Sequence, residues 1–185
     1  IEGEAFAENN LISIAIPDSV TSIGSKAFAG NKLTSLVIPD GVTSIGPGAF
    51  TGNRLTSVTI PSGVTFIGLA AFADNQLTSV TIPDSVTAIS GGTFQNNRLT
   101  GVIIPSGVIS IGWEAFRNNQ LTRVTIPASV TSIERGAFMG NPLSSITIGA
   151  NVTLGKFDRG FDDFYRLNGS KAGTYTYAND RWTAK

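Results

Sequence analysis

Apolar and polar positions recur along this chain with a fixed period of 22 residues. Phe6, Phe28, Phe50, Phe72, Phe94, Phe116 and Phe138 fall in one column. Asn9, Asn31, Asn53, Asn75, Asn97, Asn119 and Asn141 fall in a second, and Leu11, Leu33, Leu55, Leu77, Leu99, Leu121 and Leu143 in a third. A period of ~20–50 residues marks a solenoid, in which each unit buries its apolar face only by stacking on its neighbours. The chain therefore reads as a β-rich solenoid of seven repeats.

The unit Leu33 to Arg54 shows the logic. Leu36 and Ile38 are two apart and share one face of a strand, while Ser35 and Val37 share the other. Pro39 ends the strand because it has no N–H for the ladder. Asp40-Gly41 is a turn. Val42 and Ile45 fit a short second strand or a tight 3₁₀-like arm on the opposite side. Gly46 marks either a positive φ or a close neighbour. Ala49-Phe50 re-enters the core and Asn53 closes the coil. Strands are thus predicted near 35–38, 57–60, 79–82, 101–104 and 123–126, in one parallel sheet. The phenylalanines form a core spine, and each asparagine satisfies backbone groups of adjacent turns, since buried polar groups must be paired.

The pattern fails after Val152. Gly149 replaces the proline, Gly155 stands where isoleucine is due, and the Ala-Phe pair is missing. Residues 155–185 carry 10 of the 26 charges together with Phe157, Phe161, Phe164, Tyr165, Tyr175, Tyr177 and Trp182. Thr174–Tyr177 and Arg181–Thr183 flank Ala178-Asn179-Asp180 as a hairpin would. Phe161–Leu167 reads as a helical turn. A solenoid needs an atypical terminal unit, so the chain divides into a solenoid, 1–154, and a capping segment, 155–185. An aromatic platform for carbohydrate on Tyr175, Tyr177 and Trp182 is the alternative. At the other end, Ile1 aligns with Ile23 and Ile45 in mid-repeat, which reads as a fragment of a longer protein. Its first coil, with Phe6, Leu11, Ile14 and Ile16 bare on one side, is expected to form weak homodimers.

Charge and chemistry narrow the functions. Thirteen acidic residues balance thirteen basic ones, which disfavours nucleic acid or anionic lipid as partner. No apolar run approaches the ~18 residues of a membrane span. There is no cysteine and no histidine. That removes disulfides, thiolate metal sites and the commonest general base. Ser25-Lys26 and Ser170-Lys171 are neighbours in sequence without the geometry of an activated nucleophile. Gly91-Gly92 lacks the lysine of a phosphate loop. Asp158, Asp162 and Asp163 match no calcium loop and read as solvated groups or partners of Arg159 and Arg166. Asn151-Val152-Thr153 and Asn168-Gly169-Ser170 match the glycosylation pattern. No catalytic residue, cofactor or metal is assigned.

Leu77-Thr78-Ser79-Val80-Thr81-Ile82-Pro83 and Val42-Thr43-Ser44-Ile45-Gly46-Pro47-Gly48-Ala49-Phe50, followed by Asn53 and Leu55, resemble the BspA-like leucine-rich repeat, and more narrowly its treponemal-type subclass. The resemblance runs from residue 1 to about 154. It departs in having 22 residues per unit, not 23, and asparagine where the family often has cysteine. It implies a right-handed solenoid with the parallel sheet on its concave face, an extracellular or bacterial cell-surface location, and adhesion to host or other cell-surface proteins. It transfers no functional residue.

Contacts with a partner should lie where surface columns vary. The outward concave columns are almost all Ser and Thr, and the exceptions are Ile103 and Arg123. Phe66, Leu69, Ile109, Trp113 and Met139 interrupt the convex or edge columns. Three functions stay open: a protein-binding surface module, a structural stalk displaying other domains, and a glycan-binding module.

Overall fold

The computed structural model describes residues 1–185. The first strands are β1 (Ser22–Ile23), β2 (Ser44–Ile45), β3 (Ser57–Thr59), β4 (Phe66–Ile67), β5 (Ser79–Thr81) and β6 (Ala88–Ile89). They are followed by β7 (Ser110–Ile111), β8 (Arg123–Thr125), β9 (Ser132–Ile133), β10 (Ser145–Ile148) and β11 (Thr153–Leu154). A 3₁₀ turn (Asp158–Gly160), helix α1 (Phe161–Leu167) and the strands β12 (Gly173–Ala178) and β13 (Arg181–Ala184) complete the chain.

Each coil stacks on the next along three sides. On the first, strands after the leucine pair in parallel, as in Val58 with Val80. On the second, the short arm strands pair in parallel, as in Ile45 with Ile67. The third side, around phenylalanine, has no strand but still forms a ladder. In coil two Lys26, Phe28 and Gly30 donate their N–H groups to Pro47, Ala49 and Thr51 of the next coil, at 2.8, 2.8 and 2.9 Å. The inward residues Leu33, Leu36, Ile38, Val42, Ile45, Ala49 and Phe50 are all buried. Successive phenylalanine rings stack with centroids 5.3–5.8 Å apart from Phe6 to Phe138. Phe6 heads the stack and has no ring before it, so it is 39% exposed.

The asparagines do what the pattern predicts. Asn53 donates from Nδ2 to Phe28 and Phe50 carbonyls at 2.9 and 3.1 Å, and accepts the Leu33 N–H on Oδ1 at 3.0 Å. Gly46 answers to a close neighbour, not to φ: a Cβ there would stand 2.7 Å from the Gly24 carbonyl carbon. The positive φ values fall two residues either side of the phenylalanine, at Gly48 and Gly52 in this coil. Both columns repeat, the first through Glu4, Lys26, Ala70, Gly92, Glu114 and Gly136.

Three expectations need correction. The strand side is not one continuous sheet. Residues 35–38 and 101–104 form no ladder, which leaves β3–β5 and β8–β10–β12–β13 as separate sheets. The coils left out carry Ala15, Val37 or Ile103 in the outward column, whereas Thr59, Thr81, Thr125 and Thr147 all lie in paired strands. Cross-strand threonine pairs favour a ladder, and Gly101 weakens its own strand. The opposite arm is likewise a sheet system, β1–β2–β4 and β6–β7–β9–β11.

Second, the repeat does not stop at Val152. Leu154 pairs with Ile133, so one residue is missing from the last coil, and Leu154, not Gly155, occupies the isoleucine column. Phe157 then stacks on Phe138 at 5.9 Å and extends the spine to an eighth ring.

Third, the aromatic residues after it are not a platform. Phe161, Tyr165, Tyr175 and Trp182 join the solenoid's own apolar cluster. Tyr175 and Trp182 are only 2% and 6% exposed, and Tyr177 lies under the Arg159 guanidinium at 4.5 Å. Strand β12 runs antiparallel to β10 and covers its edge. The hairpin turns at Asn179 and Asp180, both with positive φ, as a two-residue turn requires.

Candidate functional site

Ile103 and Arg123 come together. Both project from the strand side, one coil apart, and line one open cleft of about 660 Å³. Its walls are Gly101–Ile104 and β8. A second cleft of about 480 Å³ lies on the other side of Ile103, against β5 and the turn that carries Asp84. Ile103 is 84% exposed and belongs to both.

The clefts exist because the ladder is broken here. No backbone N–H or C=O from Gly101 to Ile104 is hydrogen-bonded to either neighbouring coil. The arm behind stays closed, since Ala88, Ser110 and Ser132 remain paired. The ring spacing widens to 5.8 Å between Phe72 and Phe94 and 5.6 Å between Phe94 and Phe116. Val80 and Val102, whose column is buried at Val58 and Val124, are only half-buried and give the clefts an apolar floor. Gly101 contributed the signal in the sequence, as the one glycine in a column of serines, but the open backbone is a property of the stack.

Phe66, Leu69, Ile109 and Trp113 stand on the arm side, away from these clefts, with exposures of 46–53%. They do not form a pocket with one another. Trp113 lies across Gly91, where an added Cβ would meet the indole at 2.5 Å. Its N–H is held by a Glu134 carboxylate oxygen at 3.0 Å. Trp113 is thus a side chain folded over the solenoid edge. Met139 is half-buried and packs its sulfur towards Gly136.

The polar residues weighed for chemistry have structural partners. Ser25 Oγ donates to the Pro47 carbonyl, and Lys26 reaches Glu4 at 3.9 Å. Asp158 accepts the Gly140 N–H at 2.6 Å and Asp162 accepts the Phe157 N–H at 3.1 Å. Asp163 pairs with Arg166 as expected, but Arg159 does not pair with Asp158; it donates to the Leu143 carbonyl at 3.0 Å. No three acidic side chains are grouped to hold a metal ion. No helix is long and apolar enough to cross a membrane.

The profile of the family described as the BspA type leucine rich repeat region matches residues 1–119 and 89–158, in six copies. The chain belongs to the BspA type leucine rich repeat family. Several solved structures share this fold. A leucine-rich repeat protein from Eubacterium ventriosum is 27% identical with a TM-score of 0.53, over 91% of this chain and 37% of its own. YopM from Yersinia enterocolitica is 14% identical with a TM-score of 0.50, over 78% and 35%. A leucine rich cell surface protein from Faecalibacterium prausnitzii is 25% identical with a TM-score of 0.40, over 74% and 53%. The BspA-type chain thus spans about half or less of the length of these proteins. No curated protein sequence matches it.

Proposed function

We propose that this chain is a non-catalytic repeat module that binds a protein partner at the bacterial surface, through the strand side of coils four to six. The observation that carries this reading is the convergence of Ile103 and Arg123, the two departures from the Ser/Thr columns, on one open cleft. Side chains rich in contact energy are otherwise scarce on this face, and arginine is among the residues that anchor interfaces. The surface location rests on family membership. Adhesion to host or neighbouring-cell proteins is the form of binding that this placement supports.

A stalk that displays other domains is the second reading. The uniform Ser and Thr of the remaining outward columns favour it, because a spacer has no need of a varied face. Pull-downs from extracellular-matrix and cell-surface proteins, beside a glycan array, separate the two. Capture of a defined protein by the chain, lost in Ile103→Asp, supports binding. Capture of none, or capture unaffected by that change, defeats it. Binding on the glycan array alone would replace both with carbohydrate recognition.

A further inference from the structure

We infer that the broken ladder at Gly101–Ile104 is the seat of an extended peptide segment, anchored by an acidic side chain on Arg123 and an apolar side chain on Ile103. This rests on the protein-binding reading above and names the chemistry of the partner.

The backbone argument comes first. Backbone N–H and C=O groups are obligatory hydrogen-bonding groups, and in every coil they are served by the next coil or by asparagine. From Gly101 to Ile104 they are not. The strands on either side, β5 and β8, are each paired on their far side only, with β3 and with β10. The groups along 101–104 therefore face the cleft, where water is their only other partner. An extended main chain supplies alternating donors and acceptors in the same form, which is how peptides are read along exposed strands. Gly101 keeps this backbone bare: a Cβ added there would meet nothing within 4 Å.

Charge then selects the peptide. Arg123 is the only charged residue in the two outward columns of the strand side. It takes part in none of the chain's three salt bridges. A guanidinium presents a planar fork of donors that fits a carboxylate with two parallel hydrogen bonds. Asp84 borders the second cleft, beyond Ile103. Its charge repels a second acid there, so the peptide is acidic at its Arg123 end and not throughout. Between the two, Ile103 and the half-buried Val80 and Val102 offer an apolar stretch. The first cleft, about 660 Å³, lies within the ~300–1,000 Å³ of ordinary ligand sites.

The test is selection of a displayed library of random linear peptides on the full chain. Enriched peptides should share an Asp or Glu at fixed spacing from an apolar residue. Their affinity should fall about tenfold, ~1.4 kcal/mol, in Arg123→Glu. It should recover in that variant when the peptide's acid is exchanged for lysine. Trp113→Ala should leave it unchanged. Bound peptide should slow hydrogen exchange at the amides of residues 101–104. Arg123 is exposed, so its substitution leaves the fold intact, and melting of the variant checks this. Enriched peptides without an acid, binding unaltered by Arg123→Glu, or amides at 101–104 that stay unprotected would each overturn the inference. So would a library without binders, while whole-protein capture in the pull-down would still uphold the broader reading.

Discussion

Asn97 Nδ2 donates to the Phe72 carbonyl, 25 residues back in the preceding coil, at 2.9 Å, and its Oδ1 accepts the Leu77 N–H at 3.0 Å. One side chain thus ties three segments of two coils together in the dry interior. Asn97→Ala strands a buried acceptor and a buried donor, each worth ~1–3 kcal/mol when unsatisfied. We expect a loss of about 2–5 kcal/mol by chemical denaturation. Asn9 occupies the same column, but it is exposed and reaches only the Ala7 carbonyl, at 2.9 Å. Asn9→Ala should therefore change stability by no more than about 0.5 kcal/mol. Equal costs at the two sites would refute the interlock.

Ala70 sits at φ 53, in a column where other coils use glycine. The left-handed region costs an alanine ~1–2 kcal/mol. Glycine removes that cost but returns ~0.4–1 kcal/mol through the freedom of the unfolded chain. Ala70→Gly should stabilise by roughly 0.5 kcal/mol, the difference between the two. A destabilised variant would show that the alanine methyl contributes packing that outweighs the backbone strain.

Deletion of residues 155–185 removes Phe157 from the end of the ring stack and β12 from the edge of β10. The free edge and the uncovered Phe138 and Ile146 would each seek a partner. The truncated chain should aggregate or associate in sedimentation velocity and should melt earlier. A monomer with unchanged melting would show that this segment does not cap the solenoid.

The first coil leaves Phe6 39% exposed, with Leu11 and Ile14 half-buried, so end-to-end pairing of two chains is expected to be weak but detectable. Residues 1–22 also carry Glu2, Glu4, Glu8 and Asp18 and no basic side chain. Two such ends repel, and salt screens the repulsion. Association through this end should therefore strengthen as salt rises, read by sedimentation across a concentration series. Association that weakens with salt would place the contact elsewhere.

Burial raises the pKa of the Tyr175 phenol above its usual 10.0, with Tyr165 adding to the shift. Its hydroxyl donates to the Lys171 carbonyl. In the unfolded chain the phenol ionises from about pH 10 upward, while the folded chain holds its proton longer. The unfolded state then binds fewer protons, so stability falls as pH rises beyond about 10 and is whole below it. Denaturation midpoints between neutral and strongly alkaline pH should show this decline, and Tyr175→Phe should flatten it. An equally steep decline in the variant would assign the loss to other groups.

Much of this architecture is written in the chain itself. A period of 22 residues determines the coil, because leucine, valine, isoleucine and phenylalanine can leave water only by stacking in columns. It also determines the roles of Asn53 and its column mates, since a polar residue fixed among apolar ones must find backbone partners. Two features were decided by the tertiary structure. Leu154 and Phe157 continue the isoleucine and phenylalanine columns after one residue is lost, and only pairing in space restores that register. The open backbone at Gly101–Ile104 is the other. Whether a strand joins its neighbours depends on cross-strand contacts on both sides at once, and the segment's own residues specify neither. The meeting of Ile103 and Arg123 over that opening, 20 residues apart in the chain, is a consequence of coil stacking alone.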